Sequence, residues 1–150
     1  MRVVIQVVSE ASVSIDGQIY SQIQQGLLIL LGIEHSDIEQ DVEWLSKKIA
    51  NLRIFADENN QMNKSVIDVK GQLLVVSQFT LHAKTKKGNR PSFIEAARPE
   101  VAIPLYEAFV KRLSEYSQSQ VLTGQFGANM QVNLCNDGPV TILIDSKNKE

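Results

Sequence analysis

A single cysteine, Cys135, stands in the 150-residue chain, so neither an intramolecular disulfide framework nor a cysteine-based zinc cluster is available to it. Histidines are almost as scarce: His35 and His82 show no paired ligand spacing, and no metal is expected. The longest apolar run, residues 26–33, falls far short of the ~20 residues a membrane-spanning helix needs. The first residues also lack the apolar core and small-residue cleavage site of a secretory signal. Charge of one sign is not in excess, with 15 Lys+Arg against 17 Asp+Glu and a net charge of −2. A polycation that wraps DNA through bulk charge is therefore excluded, and any RNA contact must come from a local patch. No strand is followed by a G-x-G-x-x-G or Walker pattern, so no nucleotide cofactor is expected. Together these absences fit a cytoplasmic protein without membrane anchor, metal or cofactor.

What is present is ordinary for a globular protein: 43% hydrophobic and 21% charged residues, with eight Gly and four Pro. The length suits one domain over 1–150, which buries roughly two thirds of its unfolded surface. Residues 3–15 are rich in alternating β-branched side chains, Asp16-Gly17 is a tight-turn signal, and 18–23 resumes the extended pattern, which predicts a hairpin. Residues 26–33 are apolar throughout and bounded by glycine, as in a strand covered on both faces. Ser36 and Glu39 have capping-box spacing, and Ile38, Val42, Leu45, Ile49 and Leu52 predict a helix over about 37–51. A short strand at 52–55, an exposed loop at 57–64 and a helix between 99 and 116 follow, with Val101, Leu105, Phe109 and Leu113 on the apolar stripe. Strands at 128–134 and 140–144 are expected around a turn at Asn136-Asp137-Gly138-Pro139, ahead of a loose polar tail at 146–150. The class is α+β: a mostly antiparallel, curved, barrel-like sheet with two main helices.

Chemistry concentrates around one strand. Alternation over 72–81 puts Gln78, Thr80 and His82 on one face, with neighbours two apart separated by about 6.5 Å. A threonine hydroxyl attacks only if a base takes its proton, and His82 is the nearest imidazole in sequence. Alternation alone fits better with a strand that turns polar where it meets water. Next to it, Lys84, Lys86, Lys87 and Arg90 form an acid-free loop, which serves equally as a solvated face or a phosphate grip. Gly138-Pro139 presents backbone carbonyls without side-chain bulk or, at proline, a donor. Cys135 reads better as a small buried hydrophobe than as a nucleophile, and Met62 and Met130 as packing or pocket lining.

Ser77-Gln78-Phe79-Thr80-Leu81 and Asn136-Asp137-Gly138-Pro139-Val140-Thr141 together resemble the two signature motifs of the D-aminoacyl-tRNA deacylase family. The likeness extends over essentially the whole chain, through Ser9-Glu10-Ala11-Ser12-Val13, Gly26 to Gly32, Leu52-Arg53-Ile54-Phe55, Met62-Asn63, Lys87-Gly88-Asn89-Arg90-Pro91-Ser92-Phe93 and Phe126-Gly127-Ala128-Asn129-Met130. It implies a cytoplasmic homodimer that hydrolyses D-aminoacyl-tRNA and Gly-tRNA, including glycine mischarged on tRNA-Ala, and spares L-aminoacyl esters. It also implies a cis Gly138-Pro139 dipeptide inserted into the partner's pocket as a chiral filter. Thr80 is then nucleophile or water-positioning hydroxyl, or else the substrate's own 2′-hydroxyl activates the attack. Gln78 orients substrate or water, amides near Phe79 hold the oxyanion, and Ser77 and Met130 line the substrate pocket. The basic loop is our inference for tRNA phosphates. One departure stands out: Gln6-Val7-Val8 replaces the family's usual Gln-Arg-Val, removing a guanidinium thought to brace the Gly-Pro loop. Arg53 is a candidate replacement. Two rival readings are a non-hydrolytic RNA-binding module of the same fold and a small-ester hydrolase built on Cys135.

Overall fold

The computed structural model describes residues 1–150. A long first strand organises it. β1 (Arg2–Ile15) pairs antiparallel along one edge with β3 (Gly26–Gly32) over its first half and with β2 (Gln18–Ile23) over its second. The expected hairpin is present, and Asp16 and Gly17 both take positive φ, the geometry that a tight two-residue connection requires. On its other edge β1 carries β8 (Gln131–Asp145), also antiparallel. β3 then continues the sheet in parallel to β6 (Gln72–Ser77), and β6 to β7 (Val121–Thr123). β7 returns toward β2, where Ser21 Oγ donates to the Thr123 carbonyl at 2.5 Å and draws the curved sheet almost closed. The sheet is thus mixed and barrel-like, its parallel pairs being the ones joined through helices.

α1 (Glu39–Asn51) and α2 (Pro99–Ser117) cover one face. Val42, Leu45 and Ile49 of α1 and Phe109 and Leu113 of α2 are fully buried with Ile5, Leu27, Ile29, Leu73 and Val75, while Ile38 and Val101 at the helix starts remain exposed. Ser36 does not cap α1: its hydroxyl bonds Glu34, and the cap is Ile38, whose amide donates to Asp41 Oδ2 at 3.0 Å. A carboxylate at the third helical position satisfies that orphan amide just as glutamate would. The short strands β4 (Phe55–Ala56) and β5 (Met62–Lys64) pair outside the main sheet.

Three expectations are corrected. The strand 72–81 stops at Ser77; Gln78 leaves the extended region and Phe79–His82 wind into a 3-10 turn. β8 is one strand where two strands and a turn are predicted, because it follows β1 along nearly its whole length. The tail begins anchored: Ser146 is buried, accepts from the Met1 ammonium at 3.0 Å and donates to Asp41 Oδ1 at 2.7 Å, while Lys147 Nζ reaches Asp41 Oδ2 at 2.7 Å. No helix is long and apolar enough to cross a membrane.

Candidate active site

The parallel strands β3 and β6 end at a cleft of about 290 Å³. Leu31, Val76, Ala97 and Ala102 contribute apolar wall, Ser77, Gln78 and Phe79 form the rim at the end of β6, and Phe126 to Met130 close the other side. α2 is fixed behind the cleft by Tyr106, whose hydroxyl donates to the Val75 carbonyl at 2.9 Å and whose ring packs edge-on to Phe126 at 5.7 Å. Burial pushes the Tyr106 phenol well above its usual range, so it stays a neutral donor. Among all the residues lining this cleft none is ionisable; its polar groups are Ser77, Gln78, Asn129 and the main chain.

Main-chain, guanidinium and ring contacts hold the 3-10 turn at the rim. The Gln78 amide donates to Leu31 at 2.8 Å, the Leu81 amide to Gln78 at 3.2 Å, and Arg2 Nη1 to the Leu81 carbonyl at 3.2 Å. Phe79 is 57% exposed and rests edge-on against Phe93 at 5.1 Å. Because Leu81 is the first amide to bond back into the turn, those of Phe79 and Thr80 have no acceptor within it. Gln78 Nε2 donates to Thr80 Oγ1, which couples the two polar side chains.

Of the residues expected at the site, Ser77, Gln78, Phe79 and Met130 therefore converge on one cleft. Thr80 is tied to it through Gln78 without forming its wall. His82 does not share a face with Gln78 and Thr80: the 3-10 winding turns it inward, where it is 2% exposed, with Nδ1 3.5 Å from Glu34 and Nε2 unpartnered. Cys135 is exposed on β8, contrary to its reading as a buried hydrophobe, because β8 presents an open face; it does not line the cleft. Lys84, Lys86, Lys87 and Arg90 are all exposed. The loop is pinned at its base by reciprocal Lys84–Ser92 backbone bonds of 2.8 and 3.0 Å, and only Lys84 has an acid nearby, Glu95 at 3.6 Å. No three His, Cys, Asp or Glu side chains gather to hold a metal.

Gly138 and Pro139 lie outside their own chain's cleft, exposed, in a bulge of β8. Gln6 pairs Thr141 and Val8 pairs Asn136, so residues 137–140 are looped out opposite Val7 alone. The Gly138-Pro139 peptide is cis and Gly138 has φ of 122°. Val7 itself is buried in the core. Arg53 does not take up the missing brace; its Nε donates to the Asn63 carbonyl. The brace is Asn136, a role that sequence reading missed although the residue opens the second motif. Assigned by its hydrogen-bonding partners, its amide donates to Val7 (3.0 Å) and Val140 (3.1 Å) carbonyls and accepts from Gln6 Nε2 at 3.1 Å.

Comparison with known proteins agrees along the whole chain. A family model described as D-Tyr-tRNA(Tyr) deacylase matches residues 4–145. Proteins named D-aminoacyl-tRNA deacylase from Bacteroides fragilis (64% identical), Flavobacterium psychrophilum (63%) and Cytophaga hutchinsonii (63%) align over 150 residues, covering 100% of both chains in each case. Among solved structures, one named c-Myc DNA Unwinding Element Binding Protein superposes with a TM-score of 0.92 at 41% identity, covering 97% of this chain and 98% of that one. A second, described as a probable eukaryotic D-amino acid tRNA deacylase, has a TM-score of 0.83 at 17% identity over 95% and 97% of the two chains, a likeness of fold alone. With both motifs, the cleft at the end of β6 and these full-length relatives in agreement, the chain belongs to the D-Tyr-tRNA(Tyr) deacylase family.

Proposed function

We propose that this chain, a D-aminoacyl-tRNA deacylase by family, cleaves the ester between a D-amino acid, or glycine, and the terminal ribose of tRNA, and that Gly138-Pro139 of a second copy excludes L-aminoacyl groups. The observation that carries the reading is the separation of the two motifs: the Gly-Pro bulge is exposed and absent from its own cleft. A backbone filter that does not line the cleft of its own chain has work in another's. Exposed Leu134 on β8 provides apolar area for such a contact.

In this scheme water adds to the ester carbonyl, the oxyanion is met by the Phe79 and Thr80 amides, and the bond to the ribose oxygen then breaks as that oxygen takes a proton. Without an ionisable side chain in the cleft, Thr80 and Gln78 position water or substrate and do not serve as base. The vicinal ribose hydroxyl or bulk hydroxide supplies the activation, so the rate should rise with pH without a bell set by protein groups. The exposed loop of Lys84, Lys86, Lys87 and Arg90 meets acceptor-stem phosphates.

Release of amino acid from D-Tyr-tRNA, L-Tyr-tRNA and Gly-tRNA tests the activity. Loss of the D and Gly esters with the L ester spared is expected; inert D and Gly esters would leave only an RNA-binding module. Mixing a Gln78→Ala chain with a Gly138→Ala chain tests the filter, because a mixed dimer regains one site with both wild-type parts. If mixing leaves the L-to-D ratio at that of the Gly138→Ala chain while dimers exchange, the filter does not act across copies.

A further inference from the structure

A second cleft, of about 540 Å³, is lined by Arg2, Trp44, Lys48, Leu81 and Lys149 among others. A neighbouring cleft of about 450 Å³ shares Trp44 and Lys48 with it and adds Lys47 and Arg53. We propose that this double cleft binds the RNA of the substrate beyond its aminoacylated nucleotide, with a base stacked on Trp44 and the cations set against its phosphates. The proposal rests on the deacylase reading above.

Three observations converge on it. Trp44, the only tryptophan in the chain, is half-buried: it packs against the core yet is left partly open, with Lys149 Nζ at 4.5 Å and Lys48 Nζ at 5.7 Å from its ring centroid. An indole presented among cations is the arrangement that stacks single-stranded bases. Charge gives the second. Lys47, Lys48, Arg53 and Lys149 have no carboxylate within ion-pair distance, unlike Lys64, Arg112 and Lys147. The opposing acids are Asp145, already held by Arg2 Nε at 2.7 Å, and Glu150, which accepts from Asn148 Nδ2 at 3.1 Å. In a chain of net charge −2 such a cluster is a local departure that favours a polyanion. Continuity is the third. Leu81, part of the cleft wall, belongs to the 3-10 turn that carries Phe79 and Thr80, so a strand leaving the active site along that turn runs into the cleft. Lys149 lies in the exposed residues beyond β8, and a base can displace it from the indole without opening a strand.

Because Trp44 is the sole tryptophan, its emission reports this cleft directly. Titrating the full-length protein with uncharged tRNA should give a saturable emission change whose midpoint weakens with salt. A Lys48→Ala/Lys149→Ala variant should lower the log–log salt slope by about 1.4, near 0.7 for each single-strand phosphate that is no longer neutralised. It should also raise KM for D-Tyr-tRNA about tenfold with kcat retained. Trp44→Ala, followed with labelled tRNA, should weaken binding about fivefold or more; if it fails to fold, the lysine variant carries the test alone. An emission change with intact binding but no hydrolysis sustains this site and sinks the deacylase reading. Active hydrolysis with silent Trp44 emission, or with an unaltered KM in the lysine variant, overturns the site. So does an emission change that follows protein concentration instead of tRNA, which would assign the face, with its exposed Leu143, to a second copy of the chain.

Discussion

Replacing Gly32 by alanine should slow the enzyme by displacing the 3-10 turn without removing any group that meets substrate. A Cβ at position 32 would stand 2.9 Å from the Gln78 carbonyl oxygen, 3.0 Å from Leu81 Cβ and 3.1 Å from His82 Cδ2. Ordinary contact begins near 3.4 Å, so the turn must withdraw from β3 by several tenths of an ångström. None of the three is the free end of a flexible chain, since two are a main-chain oxygen and a Cβ and the third belongs to a buried ring. Overpacking of this kind costs about 1–3 kcal/mol, which at about 2–4 °C per kcal/mol lowers Tm by roughly 2–12 °C. Phe79 and Thr80 move with the turn. A misplacement of about 1 Å costs roughly 100-fold in rate, so the smaller shift here should cost about tenfold in kcat for D-Tyr-tRNA with KM nearly unchanged. Leu113→Ala is the control: it empties a fully buried site on α2, costs about 2–5 kcal/mol, and leaves the turn in place. Thermal unfolding and single-turnover hydrolysis of both variants, well below their Tm, separate the effects. If Gly32→Ala keeps the wild-type kcat, or if both variants lose rate in step with stability, the position of the turn does not govern the chemistry.

Four further outcomes are expected. Gly138→Ala should raise the ratio of L- to D-Tyr-tRNA hydrolysis by about tenfold, or about 1.4 kcal/mol of lost discrimination, because a Cβ there meets Val140 Cγ2 at 2.8 Å on a backbone of positive φ; an unchanged ratio removes the filter role. Tyr106→Phe deletes the buried bond to the Val75 carbonyl and should lower stability by about 1–2 kcal/mol in denaturant titration. Lys147→Met should destabilise by about 0.5–1 kcal/mol at pH 7, the half-exposed ammonium being partly screened by solvent. Burial alone would raise the Asp41 carboxyl, but bonds from Lys147, Ser146 and the Ile38 amide outweigh it and hold the pKa below 3.8. With the folded value below the unfolded one, the ionised carboxylate adds stability above pH 3.8 that is lost as pH falls through the folded value, so the difference between variant and wild type should shrink in acid. Cys135→Ala should leave hydrolysis unchanged, since the thiol is exposed and away from the cleft; a large loss would revive a thiol nucleophile.

Local chemistry made much of this fold legible. The Asp16-Gly17 connection, the uniformly apolar β3 and the stripe of α1 are each dictated by neighbours a few residues away, and each is found where the pattern puts it. What escaped depends on distant partners. β7 is three half-buried residues whose strand character comes from β6, and the Asn136-Asp137-Gly138-Pro139 turn is absorbed as a bulge because β1 runs alongside it. Alternation could not show that the chain winds after Ser77, since Gln78 is fixed by its bond to Leu31 on another strand. The candidate site divides in the same way. Gln78, Phe79 and Thr80 are contiguous and were readable, whereas the Asn136 brace depends on carbonyls of Val7 and Val140 that only the folded sheet brings together.

The pairing of β1 with β8 sets the order in which the molecule can be completed. Arg2 lies opposite Asp145, so β1, made well before its partner, keeps one edge unpaired until β8 has been synthesised. β2 and β3 can zip onto the opposite edge early, through short loops, but β8 must close the longest loop in the chain. Until it does, a row of β1 amides and carbonyls stays open to any extended segment nearby. The last strand to arrive therefore also retires the main aggregation hazard of the nascent chain, and slowing its docking should lower soluble yield before it alters the activity of molecules that finish folding.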